Sequence, residues 1–221
     1  MLYIVATPIG NLEDITLRAI KVLKEVDLIL CEDTRETLKL LNYLEIKKTL
    51  VSYYKDNETK RLKKAINLLL EGKEIALVSD RGTPGISDPA YLLVREAYKY
   101  NIKVVPIPGA CAFTTALSVC GLPTDRVSFY GFVPRKKNKK RQFFNDLQDR
   151  YETLVFFESV HRIKETLEIL NSLFPEREMA LCRELTKKFE EIHVGKVSKI
   201  YEKYITEDLK GEFILILKGR D

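Results

Sequence analysis

The run SDRGTPGISDP, Ser79 to Pro89, directly follows the apolar segment Ile75-Ala76-Leu77-Val78. It gathers two aspartates, hydroxyls, a guanidinium, two glycines and two prolines in eleven residues, a composition that no core strand or helix would select. Gly82 and Gly85 allow backbone angles closed to other residues and let a ligand approach the main chain. Pro84 and Pro89 stiffen the loop and open the helix that follows. Three more polar loops leave apolar segments: ATPIGNLEDIT (Ala6–Thr16), EDTR (Glu32–Arg35) and PGACA (Pro108–Ala112). Any one of them reads plainly as a strand-to-helix turn. Four of them on one edge of a parallel sheet read as a ligand site. The glycine spacing matches neither GxGxxG nor GxxxxGK[ST], which disfavours a Rossmann dinucleotide site or a P-loop. There is no GxSxG elbow, so a serine hydrolase is disfavoured too. The remaining chemistry is a neutral or zwitterionic ligand held by backbone groups and a few carboxylates, and S-adenosylmethionine is such a ligand.

The elements that must position these loops alternate regularly. Strands are expected at Leu2–Ala6, Asp27–Cys31, Leu50–Tyr53, Ile75–Val78 and Lys103–Ile107. Helices are expected at Ile15–Val26, Arg35–Tyr43, Glu58–Leu70, Ala90–Tyr100 and Ala110–Val119. Leu62, Ala65, Ile66, Leu69 and Leu70 recur at helical spacing, and Gly72 caps that helix. Continuously apolar strands joined by helices imply a parallel sheet covered on both faces. The stretch Cys120–Asp125 breaks the rhythm and predicts an N-terminal α/β domain over 1–120 and a C-terminal one over 121–221. In the second half, strands at Val127–Phe132, Thr153–Phe157, Met179–Cys182, Glu191–Val194 and Glu212–Leu217 accompany helices at Lys139–Gln148 and Arg162–Leu173, which predicts a mixed sheet. The expected architecture is two α/β domains with a cofactor cleft between them.

At 221 residues the chain is long enough for two modest cores. It has no apolar run of membrane-spanning length and no basic leader before its first strand, so a cytoplasmic protein is expected. The cysteines Cys31, Cys111, Cys120 and Cys182 form no CxxC pair, and His161 and His193 are scattered, so no metal site is expected. The net charge of +5 is uneven, with six cations in the seven residues Arg135–Arg141, RKKNKKR. Such a run reads either as a solvated face or as a phosphate-contacting strip for nucleic acid.

The segments VATPIGNLEDITLRA, CEDTR, SDRGTPGISDP, PGACA, GLPTDR, FFESVHR, RELTKKFEE and KGEF occur in this order from Leu2 to Gly219. Together they resemble the ribosomal RNA small subunit methyltransferase I family, which belongs to the tetrapyrrole methylase fold. Two departures stand out: Arg81 where the family usually has alanine, and Val160 where it usually has proline. The resemblance implies S-adenosylmethionine-dependent 2′-O-methylation of a cytidine in the decoding region of 16S rRNA, by a homodimer. It implies cofactor contacts from Pro8, Ile9, Asp80, Gly82, Gly85, Ile86, Ser87, Gly109 and Ala110. In the second domain it implies contacts from Phe157, Cys182 and Glu212.

Glu32, Asp33, Arg35 and Lys187 lie in the family-specific polar segments, and they are the candidates for assisting the ribose hydroxyl. Each could equally fix a loop as an ion pair. Arg35, Arg135, Lys136, Lys137, Lys139, Lys140, Arg141 and Arg162 are the candidates for flanking phosphates. Two other functions suit the fold: methylation of a precorrin-type tetrapyrrole, and non-catalytic RNA binding in ribosome assembly.

Overall fold

The computed structural model describes residues 1–220 and divides into two compact units, Met1–Cys111 and the chain from Ala112 onward. The first unit carries β1 (Leu2–Val5), α1 (Leu17–Glu25), β2 (Leu28–Cys31), α2 (Thr34–Tyr43), β3 (Thr49–Ser52), α3 (Glu58–Leu70), β4 (Ile75–Val78), α4 (Tyr91–Lys99) and β5 (Val104–Ile107). Its sheet runs β3-β2-β4-β1-β5 with every pairing parallel. Alternate strand residues face opposite layers. Val5, Ile29, Cys31, Ala76 and Val78 pack with Ala19, Val22 and Leu23 of α1 and Leu41 of α2. Leu2, Leu30, Ile75 and Leu77 pack with Ala65, Ile66 and Leu69 of α3 and Leu93 and Ala97 of α4. Burial on both faces is why these strands read as unbroken apolar runs.

This layering has a functional consequence. β4 lies between β2 and β1, whose chains continue into α1 and α2 on one face, whereas the chain leaving β4 continues into α4 on the other. Such a switch opens a crevice at the carboxyl ends of the strands. Ser79–Pro89 leaves from that point.

The second unit opens with α5 (Ala112–Val119), which sequence rhythm places with the first sheet. It packs instead against the last strand of the second unit. It is followed by β6 (Val127–Phe132), α6 (Lys137–Asp146), β7 (Thr153–Ser159), α7 (Ile163–Leu173), β8 (Glu178–Arg183), β9 (Glu191–Lys196), α8 (Val197–Tyr204) and β10 (Glu212–Leu217). The mixed sheet runs β6-β7-β10-β8-β9, with β6 and β7 parallel and the other pairs antiparallel. Helices α6, α7 and α8 cover one face through Phe144, Leu167, Leu170, Ile200 and Tyr204, which pack on Leu154, Phe156, Leu181, Phe213 and Leu215. Helix α8 has no counterpart in the sequence expectation. Among the described residues no helix is long and apolar enough to cross a membrane.

Candidate functional site

Local hydrogen bonding stitches the strand-end loops of the first unit together. Thr7 and Gly82 exchange both backbone hydrogen bonds, at 2.9 and 3.0 Å. The Thr7 hydroxyl donates to the Ser79 carbonyl at 3.1 Å, and the Thr83 hydroxyl to the Ala110 carbonyl at 3.1 Å. The Asp80 carboxylate accepts the Asp33 backbone N–H at 2.8 Å, joining the loop after β4 to the EDTR turn after β2. All four polar loops therefore meet in one cluster.

Glycine is favoured at two close approaches. Gly82 has φ +82°, and a Cβ there would stand 3.2 Å from Cγ2 of buried Ile9. A Cβ on Gly109 would stand 3.0 Å from the Ala6 Cβ. Gly85 and Ser87 both adopt positive φ, +87° and +76°, and Ile86 between them is exposed, so the loop turns sharply and presents its backbone outward. Pro8 is buried beside Ile9.

The carboxylates of this cluster divide into two kinds. The Asp33 side chain caps α2 by accepting the Arg35 backbone N–H at 2.8 Å, and it pairs with the Arg35 guanidinium at 2.6 Å. Hydrogen bonds from Arg35 hold the Asp33 carboxyl down at about 2, so it is ionised and a weak proton acceptor at neutral pH. Arg35 itself is largely exposed. Glu32 and Asp80 shift the other way. Burial raises both, with repulsion from Asp80 and Asp33 adding to Glu32, and from Asp33 and Glu36 to Asp80.

Sequence reasoning passed over Asp88. Burial pushes its carboxyl up to about 7, helped by Glu32 and Asp80 and opposed by a Ser79 hydrogen bond. The available signal was its place in the same motif as Asp80. An unfolded aspartate ionises near pH ~3.9. Between that value and about 7 the folded state therefore binds the extra proton, and the contribution of Asp88 to stability is lost as pH rises through this window. Asp88→Asn is expected to gain thermal stability relative to the unaltered protein as pH rises from about 5 to 8. A melting-temperature difference that does not vary with pH would contradict this assignment.

In the second unit, Phe157 of β7, Ile214 of β10 and Cys182 of β8 stand in register across neighbouring strands and form one row on the sheet. Phe129 and Phe132 both meet Phe157 edge-on, at 4.9 and 5.6 Å between ring centroids. Burial pushes the Cys182 thiol up to about 12, so it is an apolar packing group and not a nucleophile. Lys187 pairs with Glu184 at 2.8 Å and Glu212 at 2.9 Å, tying the β8–β9 connection to the start of β10.

The basic run is not one surface. Arg135, Lys136, Lys137, Lys139 and Arg141 are exposed, with Lys137 beside Glu168 at 3.5 Å and Arg141 donating to Ser172 at 2.9 Å. Lys140 must be removed from the phosphate-contact group, because it is wholly buried, 2.7 Å from Glu165 and 3.7 Å from Glu158. Glu158 is buried as well, and it accepts from Thr166 at 2.6 Å and pairs with Arg162 at 2.8 Å. Arg162 is half-buried and committed to that contact.

The model of the tetrapyrrole (corrin/porphyrin) methylases matches residues 1–201. The chain is 50% identical to the ribosomal RNA small subunit methyltransferase I of Halalkalibacterium halodurans, over 99% of this chain and 75% of that one. It is 46% identical to the protein of the same name from Thermotoga maritima, over 100% of this chain and 99% of that one. The chain belongs to the ribosomal RNA small subunit methyltransferase I family. Among solved structures, the Thermus thermophilus uroporphyrin-III C-methyltransferase superposes with TM-score 0.67 at 24% identity, covering 98% of this chain and 93% of the other. A cobalt precorrin-4 methyltransferase superposes with TM-score 0.70 at 16% identity, covering 98% and 94%. These two likenesses establish a fold shared with tetrapyrrole methylases. In this member of the family, EDTR and the Ser79–Pro89 motif lie at the strand ends of the first unit.

Proposed function

We propose that the protein transfers a methyl group from S-adenosylmethionine to the 2′-oxygen of a cytidine ribose in the decoding region of 16S ribosomal RNA, acting as a homodimer. The observation that carries this reading is the stitched loop cluster at the strand-order switch, with its three partly buried carboxylates Glu32, Asp80 and Asp88. These residues suit the cofactor. Its sulfonium and ammonium groups are cationic, and desolvated carboxylates compensate them more strongly than solvated ones would. Exposed backbone around Gly85–Ser87 and Gly109–Ala110 offers N–H and C=O groups to its polar atoms. When bound, S-adenosylmethionine supplies an electrophilic methyl group.

The chain's own residues orient the acceptor and handle its proton. A ribose hydroxyl is a weak nucleophile, so a nearby base assists its attack. Glu32 is the proposed acceptor of that proton, because its raised pKa makes it a better base than Asp33. Asp33 and Arg35 set the turn that carries Glu32, and Lys187 anchors the β8–β9 connection.

RNA recognition is assigned to the exposed cations Arg135, Lys136, Lys137, Lys139 and Arg141. Several of them crowd the first turn of α6, where positive charge opposes the helix dipole and an anionic partner would relieve the conflict. Replacing Lys136, Lys137 and Lys139 together by alanine is expected to raise the KM for RNA. It should also reduce the log–log salt slope of binding by about 2, with cofactor affinity unchanged. An unaltered slope would return this strip to ordinary solvated surface.

The tetrapyrrole alternative draws on the match to the tetrapyrrole methylase model and on fold likeness. Calorimetry with S-adenosylmethionine tests both methylase readings, since no binding at micromolar concentrations would remove them. Methyl transfer from labelled cofactor to unmodified small ribosomal subunits, and not to a precorrin, separates the two.

A further inference from the structure

Between β8 and β9 the chain makes a tightly determined connection whose exposed tip has no part in the contacts described above. Glu184 and Thr186 both lie in the left-handed region, at φ +50° and +66°. For a β-branched threonine this is a genuine outlier, which persists only where its surroundings over-determine it. Here they do. The Glu190 carboxylate accepts the Thr186 N–H at 2.6 Å, and the Glu184 carboxylate accepts the Glu212 N–H at 3.0 Å. Any Cβ at Gly211 would collide with the Glu184 side chain, so the chain passes directly beneath that residue.

This anchored connection displays Phe189, which is 69% exposed, with the Lys188 ammonium 5.6 Å from its ring centroid. An exposed ring on a mobile loop would signify little. A ring held out from an over-determined loop beside a cation is a preorganised π-surface. The segment under Glu184 also borders a shallow cavity whose lining includes His161, Lys164 and Lys210 with Asp208 as the opposing acid. An aromatic tip and a cationic recess on connected loops match the two needs of single-stranded nucleic acid, a face for a base and charge for the backbone. A protein-docking face would instead need a contiguous apolar patch, and the residues flanking Phe189 are Lys188 and Glu190.

We propose that Phe189, held beside Lys188, is a stacking platform for an unpaired base of the RNA. This rests on the reading of the protein as an RNA-acting enzyme. The chain contains no tryptophan, so Phe189→Trp introduces a single reporter. On titration with protein-free small-subunit rRNA at low salt, its emission should be quenched as the complex forms, with binding followed independently by gel mobility. Tyr151→Trp, at an equally exposed position in the segment before β7, should not respond. Phe189→Ala should weaken RNA binding about tenfold while leaving S-adenosylmethionine affinity unchanged. RNA binding with no change in Phe189→Trp emission, or Phe189→Ala binding as tightly as the unaltered protein, would overturn the proposal and leave the enzymatic reading intact. A Phe189→Ala protein with full RNA affinity but altered oligomeric state would assign this face to self-association and likewise overturn it. No binding of protein-free rRNA by the unaltered protein would overturn the proposal, while methyl transfer to small ribosomal subunits decides the enzymatic reading separately.

Discussion

Replacing Lys140 by alanine is expected to destabilise the second unit by about 2–3 kcal/mol, below the ~3–5 kcal/mol of a fully buried pair because Glu165 is 36% exposed, yet a larger effect than any other change in the basic run. The ammonium is wholly buried between Glu165 and Glu158, and its removal leaves carboxylate charge without its partner. Glu158 retains Arg162 and Thr166, so Glu165, 2.7 Å from the ammonium, bears most of the loss. For a chain of this size the melting temperature should fall on the order of 10 °C. Lys139→Ala, one residue away and exposed, should change stability by no more than about 0.5 kcal/mol. Chemical denaturation of the two variants side by side checks this. Equal, small effects would mean that the buried triad does not hold α6 against α7. A double-mutant cycle of Lys140 and Glu165 should give a coupling within the ~0.5–3 kcal/mol typical of contacting residues.

The second large effect concerns Asp80. Its carboxylate has two roles: it accepts the Asp33 N–H that joins two loops, and it supplies negative charge where a cationic cofactor is proposed to bind. Asp80→Ala is expected to weaken S-adenosylmethionine binding at least tenfold, about 1.4 kcal/mol. Asp80→Asn separates the two roles, because an amide oxygen can still accept the Asp33 N–H. The asparagine variant should therefore keep near-normal thermal stability while losing cofactor affinity. The alanine variant should lose both, since it leaves the Asp33 N–H without that acceptor. Calorimetric titration of each variant decides the matter. An unchanged dissociation constant for Asp80→Asn would mean that charge at this position does not serve the ligand.

Much of this organisation was legible in the sequence alone. Strands such as Ile75–Val78 announce themselves because burial on both faces demands continuous apolar residues. The loops announce themselves because glycine, proline and carboxylates are concentrated where the backbone must turn. What was not legible depends on partners distant in sequence. Lys140 looks like its neighbours in RKKNKKR, and only the packing of α6 on α7 brings Glu165 and Glu158 to it. Asp88 looks like Asp80, and only burial near Glu32 sets its pKa apart. Asp33 looked like a candidate base, yet a neighbour two positions along, Arg35, holds its carboxyl ionised. Helix α5 continues the alternating rhythm of the first sheet, so sequence spacing could not reveal that it belongs to the second unit. Helix α8 does carry the helical period, with Val197, Ile200 and Tyr204 at i, i+3 and i+7, but it is only eight residues long and follows β9 with no turn between them, so no boundary signal sets it apart.

The chemical position of the transferred methyl group tests the proposed activity most directly. Purified protein should be incubated with methyl-labelled S-adenosylmethionine and small ribosomal subunits lacking the modification, and the 16S rRNA digested to nucleosides. Label is expected in 2′-O-methylcytidine. Label in a methylated base, or none in 16S rRNA under conditions where the cofactor binds, would contradict it.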